Sequence, residues 1–180
     1  MNKQQLEDTD LKSLMDMLES KDGMIRQKAR ESLVALGKPA VISLIQALRN
    51  SALDQVRWEA AKALGEISDA RSIPSLVKAL EDSNPDVAWL AAVALSRFNK
   101  TAWPPLLRAL IQAGPDAVSL RQGAHHVLVN QKGNGFDDLL AKLVNALDPS
   151  TLMDALEPSE VSETVTVAAH EILVRIKAKE

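Results

Sequence analysis

The 180-residue chain is 46% apolar, carries a formal charge of -3, and has three histidines and no cysteine. A chain of this length and apolar content buries a substantial core, and the lack of cysteine excludes disulfides, thiolate metal sites and cysteine nucleophiles together. The acidic balance argues against general nucleic-acid binding, which needs an excess of positive charge facing phosphate.

The chain opens on MNKQQLEDTDLKSL, which is polar and acidic with no apolar targeting run, and no later run is long enough to span a bilayer. This predicts a cytoplasmic protein. From Leu11 onward two helical patterns alternate. One is a quartet at offsets 0, 3, 4 and 7: Leu11, Leu14, Met15, Leu18; Val41, Leu44, Ile45, Leu48; Ile73, Leu76, Val77, Leu80; Trp103, Leu106, Leu107, Leu110; Leu140, Leu143, Val144, Leu147. The other is a five-residue stripe at offsets 0, 4, 7, 8 and 11: Ile25, Ala29, Ser32, Leu33, Leu36; Val56, Ala60, Ala63, Leu64, Ile67; Val87, Ala91, Ala94, Leu95, Phe98; Leu120, Ala124, Val127, Leu128, Gln131; Val165, Ala169, Ile172, Leu173, Ile176. Those five offsets fall within roughly 100° of one another on a helix, so each copy is one apolar face.

Two of the five-residue stripes, from Val56 and from Val87, are displaced by 31 positions, the mark of a helical repeat. Pro85, Pro104 and Pro105 suit first-turn positions, Asp54, Asp86 and Ser119 suit caps or first-turn acids, and Gly37 and Gly114 suit helix ends. Gly65 stands inside a helix, which implies close approach of a neighbouring helix. The expected architecture is an all-α, right-handed α-solenoid of about five helix pairs forming a single domain over residues 1-180. Residues 1-20 form an N-terminal cap helix, 22-147 the repeats, 148-161 an insertion and 162-180 a C-terminal cap helix. The insertion has room for a short helix over Thr151 to Leu156, either a shielding turn or a partner-binding element.

The segment DQVRWEAAKALGEISDARSIPSLVKALED, Asp54 to Asp82, resembles the HEAT-like repeat of the phycobilisome-lyase type. The resemblance is carried by Val56, Arg57, Ala60, Ala61, Ala63, Leu64, Gly65, Asp69, Leu76, Ala79 and Leu80, and it extends more weakly over Asp22 to Lys177. It implies helix pairs with the ligand surface on the concave side of the Val-Arg helix. Functions in that family include bilin attachment and isomerisation, scaffold and assembly work, a di-iron hydroxylase and DNA-repair glycosylases, so fold alone does not choose among them.

Offsets 2, 3, 6 and 10 point away from the stripe, and they select the candidate site: Trp58, Glu59, Lys62 and Glu66; Trp89, Leu90, Val93 and Arg97; Gln122 and His126. Trp58 and Trp89 occupy equivalent positions one repeat apart, and with Leu90 and Val93 they are expected to form an apolar patch rimmed by Glu59, Lys62, Glu66 and Arg97. An aromatic anchor within a charged rim suits a protein partner; self-association through the patch and plain packing are the other readings. Trp103, within a Leu-rich quartet, is expected in the core.

Catalytic patterns are weak. The di-iron hydroxylase of the resembled class carries His-Glu pairs at offsets where this chain has Trp58-Glu59, Trp89-Leu90, Gln27-Lys28 and Gln122-Gly123, and His170-Glu171 falls out of that register. His125 and His170 are expected to fit between helices. The glycines of QKGNGFDD lack the Lys-Ser/Thr of a phosphate loop. Arg26, Arg57 and Arg121 are expected to bridge repeats through acids such as Asp54 or Asp69. The sequence therefore predicts a non-enzymatic interaction module with no cofactor and no metal; a bilin lyase-like or chromophore-chaperone role in the same groove is the alternative.

Overall fold

The structure is a computed structural model that describes residues 3–114, 116–131, 135–150 and 158–178, with side chains described from Asp10 in the first helix and from Glu160 in the last. The helices are α1 Lys3–Met17, α2 Gly23–Leu36, α3 Val41–Asn50, α4 Asp54–Ile67, α5 Ile73–Ala79, α6 Pro85–Arg97, α7 Trp103–Gln112, α8 Val118–Leu128, α9 Asp137–Leu147 and α10 Pro158–Lys177. Among the described residues there is no strand. The five-residue stripes lie on α2, α4, α6, α8 and α10, and the quartets on α1, α3, α5, α7 and α9, with Leu18, Leu80, Phe98 and Gln131 falling just past the ends of their helices. The fold class is an all-α solenoid of paired helices.

Local chemistry sets the helix ends. Asp22 caps α2 by accepting from the Met24 N–H at 2.8 Å, and Asn84 does the same for α6 by accepting from the Asp86 N–H at 2.9 Å. Gly37 ends α2 with φ 68°, a left-handed value that suits a residue without Cβ. A short 3-10 turn precedes α3, α5 and α7, at Lys38–Ala40, Ala70–Ser72 and Asn99–Ala102, and each ends on a buried small residue, Ala40, Ser72 or Ala102. These turns are a part of the repeat that the apolar stripes do not reveal.

The helices group into two compact units, Met1–Ala94 and Leu95–Glu180, the division falling inside α6. In the first unit α1 packs on α2, α2 on α4, and α3 on both α4 and α5. Leu33, Leu44, Leu64 and Leu76 are fully buried there, and each contributes about 1.5–3 kcal/mol of burial. Polar ties link successive repeats: Asn84 Nδ2 donates to Asp54 Oδ2 at 2.8 Å, and Arg71 Nη2 donates to the Lys38 carbonyl at 3.3 Å. Arg26 and Arg57 each donate to a carbonyl six residues upstream, Ser20 and Ser51, closing the loop ahead of their own helix.

Arg57's acid is Asp82, with contacts of 2.7 and 2.8 Å, whereas Asp69 is taken by Arg71. For Arg57 the expected bridge through Asp54 or Asp69 is thus corrected to a tie within one helix pair, with Asp54 adding only its charge, whereas Arg26 does reach across to an acid of the next repeat, Glu59. A second correction concerns α2. Ile25 is 38% exposed, and Leu36 and Ser32 are exposed as well, because in this unit the helix ahead of α2 is α1, and α1 leaves that edge of the stripe open.

In the second unit α8 packs on α7 and α9, and α10 packs chiefly on α9 and α7. Trp103, at the start of α7, is 1% exposed and meets Phe136 edge-on, ring centroids 5.7 Å apart at 85°. The expected core role of Trp103 is therefore observed. Arg175 near the end of α10 donates to the Gly135 carbonyl at 3.0 Å and to Asp138 at 2.8 and 3.1 Å, pinning that end beside the start of α9. By the stripe alone α10 would stack on α8 as α4 does on α2. It lies instead against the second-helix series, and the 18 positions from Leu147 to Val165, against 8 from Leu48 to Val56, supply the chain for that change. The short helix expected over Thr151 to Leu156 lies outside the described residues.

Candidate partner-binding site

The face of α4 that bears the candidate residues is set by what its opposite side buries. Val56, Ala60, Ala63 and Leu64 are buried, and Ala61 adds a close-packed edge. Opposite them Trp58 is half-buried, and Lys62, one turn on, places Nζ 5.0 Å from the Trp58 ring centroid. This spacing joins a helical i, i+4 pair to a cation–π contact. Trp58 lines a cleft of about 520 Å³ together with Arg26, Gln27, Glu59, Lys62 and Asn84, among others.

Trp89 stands at the equivalent position of α6 and is 56% exposed, while Val87, Ala91 and Ala94 behind it are buried. Leu90 and Val93 beside it are half-buried. The residues lining the Trp58 cleft do not include Trp89. The two indoles therefore present different surroundings: Trp58 a polar cleft with a stacked ammonium, Trp89 an outward surface flanked by aliphatic side chains. In the second unit Arg97 and Gln122 are exposed and His126 is half-buried, its imidazole pKa pushed below the usual value first by burial and then by neighbouring His125.

Glu59 departs from the expected rim. It is 4% exposed. Arg30 Nε donates to Glu59 Oε2 at 2.9 Å, Arg26 Nε lies 3.7 Å from Glu59 Oε1, and Arg30 Nη1 reaches Glu66 Oε1 at 2.8 Å. The physical reason is that offset 3 faces the preceding helix α2 as well as the open side, so a long side chain there turns toward the arginines. Arg30, unnoticed by the wheel, is the residue that organises this network. It occupies offset 5, where α4 and α6 carry Ala61 and Ala92, and a cation in an alanine position needs an acid opposite it.

The histidines at that same offset differ from expectation in part. His125 is half-buried with Nε2 3.9 Å from Asp148 Oδ2, while His170 is exposed rather than fitted between helices. Among the described residues no three His, Asp or Glu side chains come together in a way that could hold a metal. The chemistry offered by the face is that of recognition: aromatic surface, one stacked ammonium, and ion pairs that fix the helices beneath it.

The HEAT repeats family model matches residues 43–128, from α3 through α8. Over that stretch the chain is similar to HEAT repeats, which in general mediate protein interaction. A more particular likeness is to the uncharacterized phycocyanin operon protein Z of Pseudanabaena tenuis, 32% identical over 108 residues, covering 56% of this chain and 52% of that protein. The chain spans about half the length of that relative. No single helix among the described residues is long and apolar enough to cross a membrane.

Proposed function

We propose that this protein is a non-enzymatic binding or assembly module of the phycobilisome-lyase HEAT-like type, which takes a protein partner on the faces bearing Trp58 and Trp89. The observation that carries this reading is Trp89, 56% exposed at the repeat position equivalent to Trp58, on a helix whose other side is fully packed. A tryptophan offers about 150–250 Å² to bury, and anchors of this kind supply most of the energy of protein recognition. The phycocyanin-operon relative makes a phycobiliprotein the first partner to test. That relative also favours a second reading, in which the Trp58 cleft holds a linear tetrapyrrole with Lys62 meeting a propionate, as a bilin lyase or chromophore chaperone would.

One pair of experiments separates them. Co-elution with purified phycocyanin, without change in its visible spectrum, is expected from the binding module. A new visible band on mixing with free phycocyanobilin, lost in Lys62→Ala, is expected from the chromophore reading. If neither is observed, both readings fail.

A further inference from the structure

The second unit contains a groove of about 640 Å³ between α9 and α10. Its α10 side is a helical stripe from Glu160 to Glu171, and its α9 side centres on Lys142 and Ala146. Val161, Ala168 and Ala146 are buried and form an apolar floor, while Val167 is 52% exposed on the lip. The stripe from Glu160 to Glu171 runs about 16 Å, close to three helical turns.

The rim carries an unbalanced charge. Glu160, Glu163 and Glu171 are exposed; Glu171 feels the charge of Arg175, which Asp138 already holds, and Glu160 and Glu163 have no ion-pair partner within 4.0 Å among the described residues, Lys142 being the one cation of the lining. By contrast Glu59, Glu66, Asp69, Asp82 and Asp138 each hold an arginine, so what distinguishes the groove is two unpaired carboxylates beside an apolar floor. An apolar floor three turns long edged by carboxylates with a single lysine is complementary to one kind of occupant.

We propose that the α9/α10 groove docks an amphipathic helix of a partner protein, with its apolar side on Val161, Val167 and Ala168 and lysines or arginines beside Glu160, Glu163 and Glu171. The floor supplies burial and the carboxylates supply orientation and salt-sensitive encounter. The proposal lies wholly within residues 95–180 and uses none of the Trp58 and Trp89 residues, so it stands or falls independently of the function proposed above.

The test is fluorescence anisotropy of the full chain with three labelled probes: an amphipathic Leu-Lys helical peptide, its Leu-Glu counterpart, and a Leu-Lys peptide of the same composition scrambled to lose the apolar face. The expected result is saturable binding of the first only. Binding should weaken about tenfold in Glu160→Gln/Glu163→Gln/Glu171→Gln and also in Val167→Ser, whose exposed side chain leaves the melt unchanged. Equal binding of the scrambled peptide, or affinity untouched by both variants, would overturn the proposal. So would a failure of the full chain to bind the Leu-Lys peptide, as when the chain's own segment fills the groove, or concentration-dependent dimerisation abolished by Val167→Ser.

Discussion

A Cβ placed on Gly65 of α4 would lie 2.7 Å from the Cβ of Ala94 and 3.0 Å from its Cα, on α6. Gly65 is therefore a point at which two successive repeat helices come close to backbone contact. In an isolated helix Gly65→Ala would gain about 1 kcal/mol, but overpacking against a backbone atom costs about 1–3 kcal/mol. We expect Gly65→Ala to lower the melting temperature, and Ala94→Gly in the same background to recover part of the loss. A Gly65→Ala protein that melts above the parent would show that the helices separate at no cost.

Glu59 and Lys62 sit one turn apart and part company in role. Removing one member of a buried ion pair leaves its partner charge stranded, at a cost of about 3 kcal/mol. Glu59→Ala leaves Arg30 with Glu66 as its one remaining acid and Arg26 with backbone carbonyls alone, both beside a vacated buried site between α2 and α4, so its midpoint in urea should fall markedly. Lys62→Ala loses one cation–π contact, worth about 0.5–1 kcal/mol at a part-exposed site. Similar midpoints for the two variants would contradict the buried network.

Acid should weaken the fold through identifiable carboxylates. Hydrogen bonds from the Arg71 guanidinium and then the Arg71 N–H hold Asp69 down to about 2, from an ordinary 3.8. For Asp82 burial acts against ionisation, yet bonds from Arg57 and the Asn84 N–H keep its carboxyl below the usual range, and the bond from Arg175 does so for Asp138. Each folded pKa lies below its unfolded value, so the associated stability is present above the ordinary carboxylate range and is lost as pH falls through the folded value, about 2 for Asp69. Asp69→Asn should lose less stability than the parent between those limits. Parallel acid limbs in urea titrations would rule Asp69 out as a contributor.

Much of this architecture is written in the residues themselves. The stripes of Val56 and Val87 fixed the faces of α4 and α6, and Gly65 announced the close approach because glycine at a helix centre needs a steric reason. Periodicity could not place Glu59, since the fate of a side chain at the edge of the packed arc depends on a neighbour, Arg30, on another helix. The readable signal was an arginine where the sister helices carry alanine. Likewise the stripe on α10 specified which side of that helix is buried without specifying what buries it; the long gap from Leu147 to Val165 was the only hint that it would leave the series. Ile25 and Leu36 illustrate the converse, apolar residues that fit the template yet stay exposed because α1 packs on α2 without covering them.

The most direct measurement is the dissociation constant for phycocyanin of Trp58→Ala/Trp89→Ala by isothermal titration, taken alongside its helical melt. Affinity should fall by about 2 kcal/mol or more while cooperative unfolding persists, in contrast to Trp103→Ala, which deletes a core side chain at about 3–5 kcal/mol. Unchanged affinity in the double variant, or loss of its cooperative transition, would mean that Trp58 and Trp89 serve the interior of the protein and not a partner.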